Sequence, residues 1–347
     1  MILGLIWLPL GKLAAPLVFP FVLYTIRVVE WFSRLPIKAG AVGQISLGWV
    51  LGFYSLLLLV TFGWELLILV QRWLQPALVG CGLAVAAVLL WRSVLCAPDG
   101  LVHLTIFDVG TGSAILMESP SGQRVLINGG PSTKRLSDHL GRQLPPFQRD
   151  LDLLLIASPE LKDLDSLGGV LPRFLPQQVI WLGEYDLCWE GENLRLLIEE
   201  NQIPVVYGKA GQRLIFSDGL QMEILSVNSR GGTLLIRYGN FQALFPFGLS
   251  SQDRQGWDQG RELGEITAYL LADNGYQSSN PSEWIGNLRP ELLLLSVGLK
   301  DSRGLPDRGL MDRLGGFSLL RTDQNGSISL ITDGEKLWIQ VERWDGL

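Results

Sequence analysis

The sequence predicts an α/β architecture: N-terminal membrane helices followed by two mixed sheets packed face to face, with helices on the outside. Three observations predict it. Long, nearly uncharged apolar runs fill the front of the chain. The hydrophobic period changes at Leu101 into short strands, hairpins and amphipathic helices. Charge divides at the same place: residues 1–100 carry a net +3, and residues 101–347 carry −9. The expected boundary follows, with a membrane region over 1–98 and a folded domain over 99–347.

In the front part, GWVLGFYSLLLLVTFGWELLILV (48–70) holds one charge, Glu65, and is long enough for a hydrocarbon core of about 30 Å. A second run, 76–95, is uncharged until Arg92. A third, 13–32, is broken by Pro16 and Pro20 and carries Arg27 and Glu30, as a kinked or interfacial segment would. Trp49, Trp64, Trp73 and Trp91 fall near the ends of these runs, where aromatic belts form. The expectation is two to three spans, a bilayer partner and a multi-pass location in the plasma (inner) membrane. The side of the membrane that the domain faces is not fixed by so few charges. Met1–Leu10 lacks the basic start and small-residue end of a cleaved leader.

From Leu101 the elements run in order. LVHLTIFDVG reads as a strand closing on a glycine turn, and SAILMES and QRVLING form a hairpin about Pro120-Ser121-Gly122. LDLLLIA (151–157) is apolar throughout, as a strand buried on both faces is. QVIWLG (178–183), a helix near 193–201, and strands at 203–208, 213–216, 220–227, 233–239 and 241–248 follow. A polar helix at 250–262 leads to ITAYLLA (266–272), a helix at 281–288, ELLLLSVG (291–298), a helix at 306–314 and three closing strands. Strands alternate with helices but hairpins recur, which selects a sandwich over a single parallel sheet.

The acidic domain is poor ground for a broad phosphate-binding face. Cys81, Cys96 and Cys188 form neither a CxxC pair nor a disulfide framework. Among nucleophile and base candidates, Ser113 has no base in sequence reach. His103 alternates with apolar strand neighbours, and His139 reads as the solvated face of a polar helix. DVGTGS is followed by a strand, so the helix dipole of a phosphate loop is missing. Trp181 and Trp338 lie within strand patterns and read as core. The strongest polar signal is the turn SPELKDLDSLGG after LDLLLIA, with Glu160, Asp163 and Asp165.

Several turns together resemble one family. DVGTGSAILMESPSGQRVLINGG (108–130) resembles the opening hairpins, approximately DVGQGDAILI and VLIDGG, of the metallo-β-lactamase-like domain in ComEC proteins of DNA uptake. LDLLLIA with Leu167-Gly168-Gly169 resembles the strand and His-x-Asp-x-Asp-His turn before Ile-Gly-Gly. TLLIRYGNFQALFPFG is similar to a strand pair ending in Thr-Gly-Asp, and ADNGYQSSNPSEWI to a segment with a His-His turn. LLLLSVGLKDSRGLP resembles a strand leading to Gly-His-Pro, and FSLLRTDQNGSISLITDG the closing RTD hairpin. EWFSRLP resembles the end of the family's membrane domain.

The resemblance implies an αββα metallo-β-lactamase-like sandwich, two divalent metal ions in intact members, and a role on DNA. The family's ligand positions fall here on Leu161, Asp163, Asp165, Ser166, Gly248, Asp273, Asn274 and Leu305. The aspartate of the Asp-Gly-Gly turn falls on Asn128, and the acid after DVGQG on Ser113. Only Asp163 and Asp165 keep the ligand type, beside a new carboxylate at Asp273. With two histidines in the chain, His103 and His139, the expectation is a ComEC-like relative with no catalytic residues, no metal site and no cofactor. Asp163 and Asp165 would then serve as helix-terminal residues, with Lys162 or Lys300 as a basic neighbour. A channel-forming ComEC-like protein is the expected partner, and DNA is implied by the resemblance alone. The alternative is a weak Mn²⁺- or Mg²⁺-dependent hydrolase or nuclease using Asp163, Asp165 and Asp273.

Overall fold

The computed structural model describes residues 26–27, 52–57 and 76–95, the last with side chains over 80–89. From 98 onward it describes all but 145–148, 185–187, 300 and 344–347. The chain divides into two compact units, 1–42 and 43–347. The second carries the sandwich.

Among the described residues, no helix is long and apolar enough to cross a membrane. That corrects the expectation of N-terminal transmembrane helices and of a multi-pass membrane location. The runs at 13–32 and 48–70 lie almost wholly outside the described residues. The run at 76–95 forms helix α1 (Pro76–Leu95).

Two sheets build the domain. The first has eight strands, β1 (Val102–Ile106), β2 (Ile115–Glu118), β3 (Arg124–Ile127), β4 (Leu151–Ile156), β5 (Pro176–Trp181), β6 (Val205–Tyr207), β14 (Ile328–Thr332) and β15 (Leu337–Val341). Their order is β15-β14-β1-β2-β3-β4-β5-β6. The second has seven strands, β7 (Arg213–Ile215), β8 (Gln221–Asn228), β9 (Gly231–Tyr238), β10 (Phe241–Pro246), β11 (Ala268–Leu270), β12 (Leu292–Leu295) and β13 (Leu319–Arg321). Their order is β13-β12-β11-β10-β9-β8-β7. Each sheet has an antiparallel part and a parallel part: β3 to β6 run parallel in one, β10 to β13 in the other.

Side-chain alternation explains the four layers. In β4, Leu153 and Leu155 enter the core between the sheets, while Leu154 and Ile156 face outward. In β12, Leu292 and Leu294 point inward, and Leu293 and Leu295 outward. Helices α2 (Thr133–Gln143) and α5 (Trp189–Glu200) cover the first sheet through Leu136, Leu140, Leu194 and Ile198. Helices α7 (Ser282–Leu288) and α8 (Arg308–Arg313) cover the second through Trp284, Ile285, Leu288 and Leu310. The expected αββα sandwich is therefore the observed one. Continuously apolar β4 and β12 are buried on both faces, as parallel strands between two layers must be.

Two aromatic and histidine readings change. Trp181 is core, but Trp338 is 44 % exposed, because β15 is an edge strand. His139 is not a solvated residue of α2: its ring stacks on Phe107 at 5.0 Å and sits within 3.3 Å of both the Asp108 carbonyl and the Ser327 hydroxyl. His103 pairs with the Asp99 carboxylate at 2.8 Å.

Candidate functional site

Polar loops gather where the parallel strands of both sheets end, the place at which open α/β sheets present ligand-binding groups. The loops after β3, β4, β11 and β12 meet there, together with the β1–β2 connection and the β8–β9 turn.

The buried layer of this site begins at Asn128, which is fully buried with φ of 57°. Its Oδ1 accepts the N–H groups of Ala157 and Ser158 at 2.8 and 3.0 Å, and its Nδ2 donates to the Ser113 hydroxyl at 3.1 Å. Ser113 in turn donates both its Oγ–H, at 2.7 Å, and its backbone N–H, at 2.8 Å, to Oδ1 of Asp163. The Asp163 carbonyl accepts the N–H groups of Gly129 and Gly130 at 2.8 and 3.1 Å. Three loops are thus tied to one aspartate. Burial pushes the Asp163 carboxyl above its ordinary range, against the pull of the Lys162 ammonium and the Ser113 bonds.

Asp163 lies within a single helical turn, α3 (Leu161–Leu164), rather than ahead of a helix. Neither side chain makes a capping hydrogen bond to α3 or to the following α4 (Leu167–Val170), although Asp163 stands in the first turn of α3 and Asp165 at its C-terminal cap. Asp163 belongs to the Ser113 network, and Asp165 is exposed. Leu161 is also exposed, while Ser166 is fully buried. Gly248 packs against the backbone of Gly231, where a Cβ would lie 2.4 Å from a carbonyl carbon. Lys300 lies outside the described residues.

The upper layer is ionic. The Lys162 ammonium contacts Glu160 at 2.7 Å and Asp273 at 3.8 Å. Arg230, at the β8–β9 turn, reaches the same two carboxylates, Glu160 at 2.9 Å and Asp273 at 3.1 Å. Asp273 also accepts the Ser279 hydroxyl. Asp273 and Asn274 both hold left-handed backbone, with φ of 48° and 54°. That turn throws the two side chains in different directions. Asp273 joins the ionic layer, while Asn274 is buried, donating to the Ser296 carbonyl at 2.8 Å and accepting from Arg303 at 3.1 Å.

The titration of this cluster has a defined sign. Burial alone raises the Glu160 carboxyl, but Lys162 and Arg230 outweigh it and hold its pKa below 4.5. Burial alone lowers the Lys162 ammonium, but Asp163 and Glu160 outweigh it and raise its pKa above 10.5. A lowered acid stabilises the fold above its unfolded pKa and loses that contribution as pH falls through the folded value; a raised base does the reverse. Stability from this cluster is therefore lost as pH falls below the ordinary carboxylate range for Glu160 and as pH rises above the ordinary lysine range for Lys162. Lys162→Met is expected to cost about 2 kcal/mol at pH 7 and to abolish the alkaline loss, both read from chemical denaturation across pH. An unchanged alkaline limb would show that Lys162 does not couple to the carboxylates.

Two cavities open here. One, of 20 Å³, is lined by Ser113, Lys162, Asp163, Asp273, Asn274 and Ser296 among others, and has room for about one water-sized particle. The second, of 360 Å³, lies outside it, with Glu160, Lys162, Arg230, Asp273, Tyr276, Arg303 and Leu305 in its wall.

No family model matches the chain, and no curated protein sequence matches it. Similar solved structures exist. YhfI of Bacillus subtilis, a metallo-β-lactamase fold protein, is 11 % identical over 67 % of this chain and 100 % of its own, with a TM-score of 0.47. CmlA of Streptomyces venezuelae, a diiron β-hydroxylase, is 14 % identical over 66 % of this chain and 54 % of its own, at 0.45. Zn²⁺-bound PqqB of Methylobacterium extorquens is 9 % identical over 66 % and 99 %, at 0.42. This chain spans about half the length of CmlA. The four-layer α/β sandwich stands on its own strand order. Against the expectation of no cofactor, two of these neighbours are metal proteins, CmlA diiron and PqqB Zn²⁺-bound.

The donor set of this chain is nevertheless unlike a two-metal centre. Among the described residues, no three His, Cys, Asp or Glu side chains stand together as ligands. Asp163 is engaged by Ser113, Asp165 is exposed, and Asp273 is held by two cations. The three carboxylates of the hydrolase alternative thus do not converge. Sequence reading missed Arg230 and Arg303, because each lies in a turn whose pattern carries no site signal. Lys162 was in view only as a neighbour.

Proposed function

We propose that this chain is a ComEC-like component of DNA uptake whose domain binds rather than hydrolyses. The observation that carries the non-hydrolytic part is the pair Lys162 and Arg230, two fixed cations bridging Glu160 and Asp273 at the convergence of the loops. A divalent ion entering there meets two positive charges within contact of its would-be ligands, at a cost that rises as the site dries. The ComEC part rests on the ordered resemblance of six turns, and it implies a channel-forming ComEC-like partner.

Two measurements test this. Labelled single-stranded DNA incubated with the purified chain and Mn²⁺, Mg²⁺ or Zn²⁺ is expected to stay intact. Cleavage that is lost in Asp163→Ala, with the fold retained, overturns the non-hydrolytic reading. Deleting the gene in its own host is expected to lower DNA uptake, with the tagged chain recovering a channel-type membrane protein. Uptake unchanged by the deletion overturns the ComEC role.

A further inference from the structure

We propose that the 360 Å³ cavity binds a phosphate monoester of a small organic molecule, with Arg303 and Arg230 as the anion donors. The proposal rests on the reading above in one respect, that the site holds its ligand without cleaving it.

An inventory of hydrogen-bonding groups in the cavity wall gives the ligand's polarity. The carboxylates are engaged. Glu160 and Asp273 face Lys162 and Arg230, and Asp307 accepts the Gln277 N–H at 2.7 Å. The guanidiniums are engaged only in part. Arg230 uses Nε and Nη2 on Glu160 and Asp273, and Arg303 uses Nη2 on Asn274 and holds Nε 3.6 Å from the Asp301 carboxylate. Among the described residues, Nη1 of either arginine has no hydrogen-bond partner. The two side chains remain 58 % and 48 % exposed. The unfilled capacity is therefore mostly cationic N–H, and the ligand it matches is an oxyanion.

Both arginines are held in place. Arg230 is fixed by its two carboxylates. Arg303 sits in a turn organised by Asp301, whose carboxylate accepts the N–H groups of Arg303 and Leu305 and the Thr111 hydroxyl at 2.8 Å. Those bonds hold the Asp301 carboxyl below its ordinary range despite the burial that raises it, so the acid serves the turn and is not available to the ligand.

Shape and size narrow the class. A phosphoryl group carries three oxygens about a tetrahedral centre and can meet the free Nη1 of both arginines from different directions, whereas a carboxylate offers two oxygens in one plane. The volume is at the lower end of ligand pockets, about 300–1,000 Å³, and well above a bare ion. Tyr276, 48 % exposed, puts an aromatic ring in the wall, which suits a ligand with a planar substituent.

Calorimetric titration of the full chain with adenosine monophosphate, inorganic phosphate and succinate tests this. Adenosine monophosphate is expected to saturate, phosphate to compete with it, and succinate to bind more weakly. Arg303→Ala is expected to weaken adenosine monophosphate and phosphate alike by about tenfold. Tyr276→Ala should weaken the nucleotide alone, by about fivefold. Both residues are on the surface of the fold, and unfolding curves matching the parent establish that the variants are intact. Absence of binding by the parent at millimolar nucleotide, or affinity unchanged in Arg303→Ala, overturns the pocket. Succinate binding as tightly as phosphate overturns the phosphate assignment. Release of free phosphate during the titration would sink the non-hydrolytic reading and leave the pocket standing.

Discussion

An Asp163→Ala variant is expected to lose about 3 kcal/mol of stability at pH 7, whereas Asp163→Asn stays within about 1 kcal/mol of the parent. The alanine leaves the Ser113 N–H and hydroxyl without their acceptor in a fully buried place, and each orphaned donor costs about 1–3 kcal/mol. Loss of the carboxylate also leaves the Lys162 charge less compensated. Asparagine keeps an oxygen for Ser113 and removes the buried charge.

The pH dependence separates the two effects. Because burial raises the Asp163 carboxyl, its ionised form weighs against the fold above that folded value, and protonation on acidification relieves the penalty. Asp163→Asn removes this term, so its stability falls more steeply than the parent's on the acid side, where the losses from Glu160, Asp301 and the other lowered carboxylates are no longer offset. Urea denaturation across pH 3–8 measures both. Equal losses for the alanine and asparagine variants would mean that the Ser113 bonds contribute nothing.

Gly112→Ala is expected to be at least as damaging, at about 3 kcal/mol or more. Gly112 has φ of 137°, where side chains are rarely tolerated. A Cβ there would lie 2.1 Å from the Lys162 carbonyl oxygen, a backbone atom that cannot swing aside. The Gly112 carbonyl also accepts the Ser296 hydroxyl at 2.6 Å, so the loop is pinned from the second sheet as well. The clash pushes the β1–β2 loop off the turn at 160–166. Arg303 then serves as a reporter: loss of nucleotide affinity together with stability shows that the loop sets the cavity. A variant as stable as the parent would show that the loop can retreat without cost.

These effects share a cause that is only partly visible in the sequence. The Gly-rich string DVGTGS was legible as a turn, but not as a surface on which Lys162 rests. LINGG was legible as the end of a hairpin. That Asn128 would organise both Ser113 and the start of the 157–166 turn was not. Asparagine in left-handed backbone is locally ordinary, and its three partners lie 15 to 30 residues away. Asp163 and Asp165 look alike on paper, one residue apart. A single helical turn sends one inward to Ser113 and leaves the other in solvent.

The sequence by itself determined the order of strands and turns and the four-layer sandwich. Continuous apolarity in LDLLLIA marks β4 as a strand buried on both faces, but only the packed sheets decide that Leu153 and Leu155 take the inner one. Periodicity is a local property, so it survives in a linear reading. Only the tertiary structure decided what fills the convergence of the loops. Lys162, Arg230 and Arg303 come from three turns far apart in the chain, and Glu160 meets Arg230 across 70 residues. Charge pairing of that kind depends on distance in space and on the low dielectric of a partly closed cavity, neither of which is written in the spacing of residues along the chain.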